Sequence, residues 1–366
     1  MTAQWHSIHL YYYDNNKDDL LLDCIRPLFT TLREQGWLDR GYFTRHWRGG
    51  PHIRLQMYAD PILFYNEIVP HVRNNVEAYL QAHPSTVHID DQDARKQYER
   101  RSLAAPAASA YVALRPNNSL EIATYEDLSS TVGSESAARL LEEYYVETND
   151  LAFALLEQTR NNYTARLNVC FDQLVALVAT SPFLTIKRAY MSYRSHVEAY
   201  ITCEPGIEEP HARRTRLENA YAQRHDIVLK RVQHLLTSIE QSPERLPIWL
   251  AATIEIYQRY GKHAFQEATA GTLRLKTNED FEAQKDHVRL EESPYRIAVV
   301  NNAAVLQASN TPVIVAHRIE LNFLYLQLSR IGMLNEDRYI LDYYIASAIE
   351  EIFAIDPVAA MSASRK

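Results

Sequence analysis

Two β-prone runs flanking Arg48-Gly49-Gly50-Pro51 carry the side chains best suited to chemistry in this sequence. Gly-Gly between such runs predicts a tight turn, so the runs are expected to pair as a hairpin. In the second run the apolar residues are Ile53, Leu55 and Met57, and the polar residues on the opposite face are His52, Arg54, Gln56 and Tyr58. Arg45 is expected close by on the partner strand. Residue types alone favour an ordinary solvated face, but the same set could form a cationic floor for an anionic or carbonyl-rich ligand.

A second pair of candidate residues occurs near the C-terminus. His317 and Glu320 are three positions apart on a predicted helix, which places both side chains on one face. Such a pair could work as an acid and a base, although a simple hydrogen bond on the helix surface is the more common case. His88, Asp90 and Asp93 match no metal motif. The sequence also contains no nucleophile elbow, phosphate-binding loop or dinucleotide-binding glycine pattern, so neither a cofactor nor a metal is predicted.

The composition indicates an ordinary globular protein, with 46% hydrophobic and 23% charged residues. The net charge of −8 is spread along the chain and argues against nucleic acid or a membrane surface as a partner. The sequence has no signal peptide and no apolar run near the roughly 18 residues that a membrane span needs. Cys24, Cys170 and Cys203 are widely spaced and indicate free thiols in a reducing compartment. We therefore expect a cytoplasmic location.

The elements that must position the hairpin form an α+β pattern. In order they are a strand from Trp5 to Tyr13, a helix from Asp18 to Gln35, the hairpin, a helix from Asp60 to Gln81 and a short strand from Leu120 to Thr124. In the first strand Ile8, Leu10 and Tyr12 alternate with His9, Tyr11 and Tyr13. Pro27 and Pro70 lie inside the helices and should kink or split them. This order predicts an antiparallel sheet with helices on one face.

The remainder of the chain is predicted to be mainly helical. The expected helices begin at Ser134 and continue over Thr164–Ala179, Arg188–Tyr200, Arg216–Glu240, Leu246–Tyr260, Glu279–Glu291, Val313–Leu328 and Glu336–Phe353. His83–Pro106 is charge-dense and is either a mobile excursion or a flap over the substrate. Cys203–Arg214 is the best linker candidate, and Val358–Lys366 is expected to be disordered. We assign 1–125 to the sheet part and 126–366 to the helical part of one closely packed unit, with a cleft between them.

The hairpin sequence resembles a known signature. The N-terminal strand, the helix and the run Tyr-Phe-x-Arg-(aromatic)-x-x-Gly-Gly-Pro-His-Ile-Arg-Leu are similar to the C-terminal, elimination-type domain of lantibiotic dehydratases. The resemblance is best from Trp5 to Tyr58 and looser over Ile122–Leu156 and Val313–Ile349. That family includes free-standing enzymes of lanthipeptide and thiopeptide biosynthesis, and the length of this chain suits such a member. The resemblance implies a precursor peptide as substrate and a separate dehydratase as a further partner in bacteriocin biosynthesis.

Two reactions are known in the family that this chain resembles. Elimination domains remove glutamate from a glutamylated Ser or Thr, which requires a base and cations near the developing enolate and the departing carboxylate. Thiopeptide pyridine synthases join two dehydroalanines in a formal [4+2] cycloaddition and expel the leader peptide. The second reaction requires proton transfer and binding of neutral carbonyl groups more than it requires anion binding.

The chain departs from the elimination pattern at several positions. Gln56 replaces the second arginine of the strand, and Thr131 stands where an arginine is expected in the segment that begins at Tyr125-Glu126. In the C-terminal helix, Glu320 falls at the place of the second histidine, and His317 lies one residue out of register with the first. Fewer cations favour the cyclisation branch. Glutamate elimination and a non-catalytic, leader-binding scaffold remain alternatives.

From these observations we expect one substrate site. Its floor is assigned to Arg54, His52, Gln56 and Arg45, with Tyr58 and Tyr125 as further substrate-binding residues and with His317, Glu320 and Arg54 as the catalytic residues. The sequence does not distinguish a monomer from a homodimer. An exposed edge of the sheet could pair with a leader peptide by strand addition.

Overall fold

The computed structural model describes residues 2–96, 111–203, 208–273 and 292–362. Its four strands are β1 (Gln4–Tyr11), β2 (Arg40–His46), β3 (His52–Ala59) and β4 (Ser119–Ala123). They form one antiparallel sheet in the order β2-β3-β1-β4. Helices follow the sheet along the chain, so the predicted α+β class is confirmed.

Helices account for most of the remaining described chain. They are α1 (Arg26–Glu34), α2 (Val69–Ala82), α3 (Ser129–Val132), α4 (Glu135–Glu147), α5 (Asn149–Gln158), α6 (Tyr163–Thr180), α7 (Ile186–Ala189), α8 (Met191–Cys203), α9 (Pro210–Ala222), α10 (His225–Gln241), α11 (Ile248–Thr269), α12 (Pro294–Asn301), α13 (Ala303–Ala308), α14 (Pro312–Arg330), α15 (Asn335–Ile352) and α16 (Pro357–Ser362). None of the helices in these ranges is long and apolar enough to cross a membrane.

Some expectations about the connections are corrected. Pro210 begins α9, where its fixed φ angle suits the first turn of a helix, so the predicted linker ends before it. Residues 357–362 form α16 and are not the disordered tail that the sequence predicts. The predicted helix over Glu279–Glu291 lies outside the described residues, as do residues 97–106 of the predicted flap and the last four residues of the chain.

Prolines change the winding of two helices near the sheet. The π-helical turns Leu20–Ile25 and Phe64–Ile68 lead directly into α1 and α2, and a proline lies at the start of each α-helical part. Because proline has no N–H and crowds the preceding turn, a wider π turn accommodates it. The predicted splits at Pro27 and Pro70 are therefore confirmed, as a change of winding.

Each face of the sheet packs against different helices. The apolar face, which includes Ile8 and Leu55, lies under Phe29 of α1 and Phe153 of α5, whose rings are 6.2 Å apart. On the other face Tyr145 of α4 stacks on Tyr42 at 4.9 Å. One cluster of buried apolar residues runs from the sheet to α15. The helical part therefore holds the sheet from both sides and leaves the polar face only partly covered.

The β2 edge of the sheet is closed by side chains from the helical part. The N–H of Phe43 donates to Asn149 Oδ1 at 3.2 Å, and Arg330 Nε donates to the Phe43 carbonyl at 2.8 Å. Arg330 comes from the end of α14 and is 1% exposed. Since an edge strand normally leaves such groups unpaired, these bonds both protect β2 and tie α14 to the sheet.

Candidate functional site

The strand register gathers the polar residues of three strands on one face. His9 of β1 pairs with Arg54 of β3, and Tyr11 pairs with His52. His46 of β2 lies on the other side of His52 in the same row. Because alternate residues share a face, these side chains form one group across the centre of the sheet. We call His9, His46, His52, Arg54 and Glu126 the histidine–arginine cluster.

Arg54 lies at the centre of the histidine–arginine cluster. Its Nε donates to His52 Nε2 at 3.1 Å, one terminal nitrogen donates to Glu126 Oε2 at 2.8 Å, and the other is 3.3 Å from His46 Nδ1. The side chain of Arg54 is 10% exposed, whereas that of Glu126 is 52% exposed. Arg48 also approaches Glu126, at 3.8 Å. The guanidinium is therefore held on three sides, and the cluster opens to solvent at Glu126.

The hydrogen bonds assign the tautomers of two imidazoles. His52 Nδ1 lies 2.8 Å from the Gly50 carbonyl and must carry the proton, which leaves Nε2 to accept from Arg54. His46 Nδ1 accepts from the Arg48 N–H at 3.2 Å and from Arg54, so its proton is on Nε2. Both rings are therefore fixed as neutral acceptors toward the guanidinium.

The hairpin turn sets the orientation of His52. Gly50 has a φ of +108°, and a Cβ at this position would lie 2.5 Å from the Tyr13 hydroxyl. Glycine suits this position because it adopts a positive φ without strain and has no Cβ to collide with Tyr13. The adjacent Gly49 carbonyl receives the Arg115 N–H at 2.8 Å, and the Tyr13 hydroxyl donates to the Arg115 carbonyl. This fixed turn directs the Gly50 carbonyl at the imidazole of His52.

Burial keeps all three imidazoles neutral. Burial, together with the charge of Arg54, lowers the pKa of His9 to about 4, of His46 to about 3 and of His52 to about 2. Partial burial would raise the pKa of Glu126, but the hydrogen bond and the charge of Arg54 outweigh it and lower that pKa. At neutral pH the cluster therefore contains one buried cation, one carboxylate and three neutral rings.

Three polar atoms on this face have no hydrogen-bond partner within the described part of the chain. They are His9 Nε2, Ser7 Oγ and Gln56 Oε1. Ser7 and Gln56 face each other in the register, one row from the pair of His9 and Arg54. Buried polar atoms are normally satisfied, so these three atoms distinguish this part of the polar face from the other described strand residues of that face.

The opposite end of the polar face is aromatic and is closed by α4. The Trp5 indole donates to Glu142 Oε2 at 2.9 Å, and the Tyr125 hydroxyl donates to the other oxygen of Glu142. The Tyr42 and Tyr125 hydroxyls lie 3.4 Å apart, and burial raises the pKa of Tyr125. Tyr58 packs against Trp5 with 5.4 Å between ring centres. This end provides neutral phenols and a flat apolar wall.

Residues 5–349 match the family described as "Lantibiotic biosynthesis dehydratase C-term". The chain belongs to this family. The structure is also similar to a protein described as "Pyridine synthase, TbtD, from thiomuracin biosynthesis", with a TM-score of 0.75, 22% identity and coverage of 96% of this chain and 100% of that one. It is similar to TsrL with a TM-score of 0.73, 23% identity and coverage of 100% and 99%. At these identities the likeness establishes the fold alone. A comparison with curated proteins finds no match.

In this family member, Arg45 does not lie on the predicted floor. It faces Ile53 in the register and therefore points to the apolar side of the sheet, opposite to Arg54. Its Nε donates to the Arg330 carbonyl at 2.9 Å, and a terminal nitrogen lies 3.6 Å from Asp18 Oδ1. Grouping Arg45 with Arg54 was wrong because, in the register of β2 and β3, the two side chains lie on opposite faces of the sheet. A role for Arg45 in substrate binding stays a prediction.

The helical pair His317 and Glu320 is buried in the interior of the helical part. His317 Nε2 is 3.1 Å from the Ala189 carbonyl, and its Nδ1 is 3.8 Å from Glu320 Oε2. Glu320 packs directly over Gly261 of α11, where no Cβ would fit. No contact in the described ranges joins this pair to the polar face of the sheet. Its predicted catalytic role therefore stays a prediction, without support from proximity to Arg54.

Sequence reasoning missed His9, His46 and Glu126 as members of the cluster. The alternation in β1 already places His9 on a polar face, but only the pairing of β1 with β3 brings that face to Arg54. Glu126 adjoins the predicted site residue Tyr125, and its contact with Arg54 spans 72 positions in the sequence. The signal that could have found these residues was the set of polar faces on all three strands, considered as one surface.

Proposed function

We propose that this protein modifies a ribosomally made precursor peptide by pyridine-synthase-like cyclisation. Two dehydroalanines would combine in a formal [4+2] cycloaddition, followed by loss of water and release of the leader peptide. The observation that carries this proposal is the histidine–arginine cluster, where one guanidinium is already paired with Glu126 among three neutral imidazoles. Such a surface suits neutral amide and alkene groups, and the likeness to TbtD supports the same reaction.

The charge balance of the site argues against glutamate elimination. Elimination would benefit from unpaired cations at the enolate and at the departing carboxylate. Here Arg54 and Arg48 share Glu126, and Arg115 lies 3.2 Å from Glu121. At the next position along β3, Gln56 supplies an amide without a charge. Each of these three arginines therefore already has a carboxylate partner, although Arg54 and Arg48 share theirs.

The described side chains suggest specific roles in the cyclisation. His9 Nε2 has no hydrogen-bond partner within the described part of the chain and the ring is neutral, so it is suited to take a proton and to return it during ring closure and loss of water. We assign Gln56 and Ser7 to binding peptide groups of the substrate, because Gln56 Oε1 and Ser7 Oγ have no hydrogen-bond partner within the described ranges. Arg54, oriented by His46 and His52, would bind a carbonyl oxygen whose charge grows in the transition state.

A further protein would have to supply the substrate. Dehydroalanine forms from serine by loss of water, a step that the proposed cyclisation does not include. We therefore propose that a separate dehydratase acts first, in the same compartment. The present protein would then act on the dehydrated precursor.

Intact-mass measurement with two forms of the cognate precursor peptide tests this function. We expect the fully dehydrated peptide to yield a macrocycle that has lost water and the leader, and the glutamylated peptide to remain unchanged. Arg54→Gln should abolish the conversion, while Arg73→Gln, which alters an exposed arginine paired with Glu77, should not. Loss of glutamate from the second peptide would establish the lyase instead. Binding of both peptides without any mass change would establish a scaffold.

A further inference from the structure

A second group of basic side chains lies in the helical part, at the junction of α8, α14 and α15. His196 Nδ1 is 3.0 Å from the Tyr325 hydroxyl, and the Arg338 guanidinium lies 4.5 Å from the centre of the Tyr325 ring. Arg318 is seven residues before Tyr325, which places both on one face of α14. We call His196, Arg318 and Arg338 the helical basic cluster. All three side chains are half-buried.

The two arginines of the helical basic cluster lack acidic partners within the described ranges. Arg318 makes no hydrogen bond or ion pair there, and burial lowers its pKa without any compensating acid. Arg338 contacts the rings of Tyr325 and Tyr339, each at 4.5 Å, and its buried Nε has no hydrogen-bond partner. The charge of Asp342 acts on Arg338 without a direct ion pair, and Asp342 accepts instead from the Tyr325 hydroxyl at 2.7 Å. Burial raises the pKa of Asp342 to about 7, so it is a weak counter-charge.

Two other arginines of the helical part, Arg194 of α8 and Arg214 of α9, are paired with carboxylates. Arg194 donates to both oxygens of Glu350, through its Nε at 2.8 Å. Arg214 binds Glu198 with two bonds of 3.0 and 2.8 Å. Holding an arginine fork away from water costs free energy unless oxygen acceptors complete it. The helical basic cluster therefore differs from Arg194 and Arg214, because neither of its arginines forms an ion pair with a carboxylate within the described ranges.

The chemistry of the cluster favours a carboxylate on a peptide. Two guanidinium forks bind planar carboxylates well, and the neutral His196 ring can join them. Beside Arg338, the rings of Tyr339 and Tyr200 stack with centres 4.3 Å apart and form a flat apolar surface. An acidic residue with flanking apolar groups would use both features, whereas a free inorganic anion would use only the charges.

We propose that Arg318, His196 and Arg338 bind a carboxylate in an acidic segment of the precursor peptide. This inference rests on the proposed function, because that function makes the precursor the substrate. The cluster is separate from the sheet site, since His317 and Glu320 of the same helix point to α7 and α11. A contact here would anchor the peptide while the dehydroalanines reach the polar face of the sheet.

Fluorescence anisotropy with the labelled cognate precursor tests whether the helical basic cluster anchors the peptide; we call this contact the anchor. We expect Arg318→Gln and Arg338→Gln each to weaken binding about tenfold, and Arg245→Gln, on a residue 82% exposed, to leave it unchanged. A precursor with every Asp and Glu replaced by Asn and Gln should bind about tenfold more weakly to the unaltered protein and lose little more with Arg318→Gln. Melting temperatures would verify that each variant is folded.

The outcomes separate this inference from the proposed function. If both arginine variants are folded and bind the precursor as the unaltered protein does, the anchor is wrong even if cyclisation occurs. If binding depends on the arginines but no cyclisation occurs, the anchor stands and the proposed reaction fails. A titration with inorganic phosphate provides the last control. If phosphate binding depends on the arginines while the neutralised precursor binds normally, the cluster is a free-anion site, which would overturn the peptide assignment.

Discussion

Two buried arginines of this protein have opposite surroundings. Arg330 is 1% exposed and donates only to neutral oxygens, at 2.8 Å to the Phe43 carbonyl and 2.9 Å to Thr148 Oγ1, with further bonds to Gln327 and Asn149. Arg54 is 8% exposed and contacts two imidazoles and a half-exposed carboxylate. The first set cannot titrate near neutral pH and is closed. The second contains imidazoles, whose pKa values burial and the charge of Arg54 keep below neutral pH, and a carboxylate, whose pKa Arg54 lowers despite partial burial, and it opens to solvent at Glu126.

The contacts of a buried arginine determine whether it stabilises the fold or remains able to bind a substrate. Arg330 joins β2, the junction of α4 and α5, and α14, so its bonds fix the sheet against the helical part. The rings of Phe43 and Tyr145 close over its guanidinium at 5.0 and 4.9 Å. Arg54 instead belongs to a face where neighbouring polar atoms still lack partners. Variants of the two residues should therefore separate stability from activity.

Removal of Arg330 is the change with the largest expected effect. Arg330→Met should reduce the free energy of unfolding by about 3–5 kcal/mol, because the Phe43 carbonyl and two side-chain oxygens would stay buried without their donor. Urea unfolding followed by circular dichroism measures this loss. Arg245→Met, on the surface, should change the value by less than about 0.5 kcal/mol. A loss below about 1 kcal/mol for Arg330→Met would show that the bonds of Arg330 do not stabilise the packing of the sheet against the helical part.

Arg54→Gln should leave the fold largely intact and remove activity. We expect kcat/KM for the dehydrated precursor to fall about 100-fold or more, because the donor toward the developing carbonyl charge is lost. Glutamine retains an amide that can still meet Glu126 or His52. Kinetics by intact mass and a melting curve are the two measurements. A melting temperature reduced as strongly as in Arg330→Met, with activity in proportion to the folded fraction, would show that Arg54 serves the stability of the fold, as Arg330 does.

The sequence predicted which residues share a face within one strand better than it predicted contacts between different strands and helices. Alternation along β3 placed His52, Arg54 and Gln56 on one face, because strand periodicity is a local property. It could not place Arg45, because the face of one strand relative to another depends on the register. Nor could it show that His317 would be buried against α7, since helix packing joins residues distant in sequence.

A smaller effect is expected from the free imidazole of the cluster. His9→Gln should lower kcat about tenfold with little change in KM, because His9 Nε2 has no hydrogen-bond partner among the described residues and serves proton transfer in the proposed reaction. His6→Gln is the matched control, since His6 lies on the opposite face of the same strand and stacks on Phe64 at 3.9 Å. Steady-state kinetics of both folded variants decide the matter. Equal losses in kcat would point to a general effect on β1.

The smallest expected effect is on the pH dependence of stability. The folded-state pKa of His9 is about 4, below the usual value of 6.5. As the pH falls below 6.5, His9 is therefore protonated in the unfolded chain while it stays neutral in the folded protein. The stability contributed by the neutral ring is complete above pH 6.5 and declines toward pH 4. Between pH 8 and pH 6 the loss is about 0.8 kcal/mol for one such imidazole. Arg330, which has no titrating partner, adds nothing to this slope.

Urea unfolding at pH 8 and pH 6 measures the difference. The unaltered protein should lose more stability over this interval than His9→Gln, by roughly 0.8 kcal/mol. His46 and His52 remain in both proteins and contribute equally, because burial also lowers their pKa values, to about 3 and about 2. If the two proteins show the same loss, His9 titrates normally in the folded state. It would then be charged below pH 6.5, and the polar face would gain a second cation beside Arg54, which would favour anion chemistry over cyclisation.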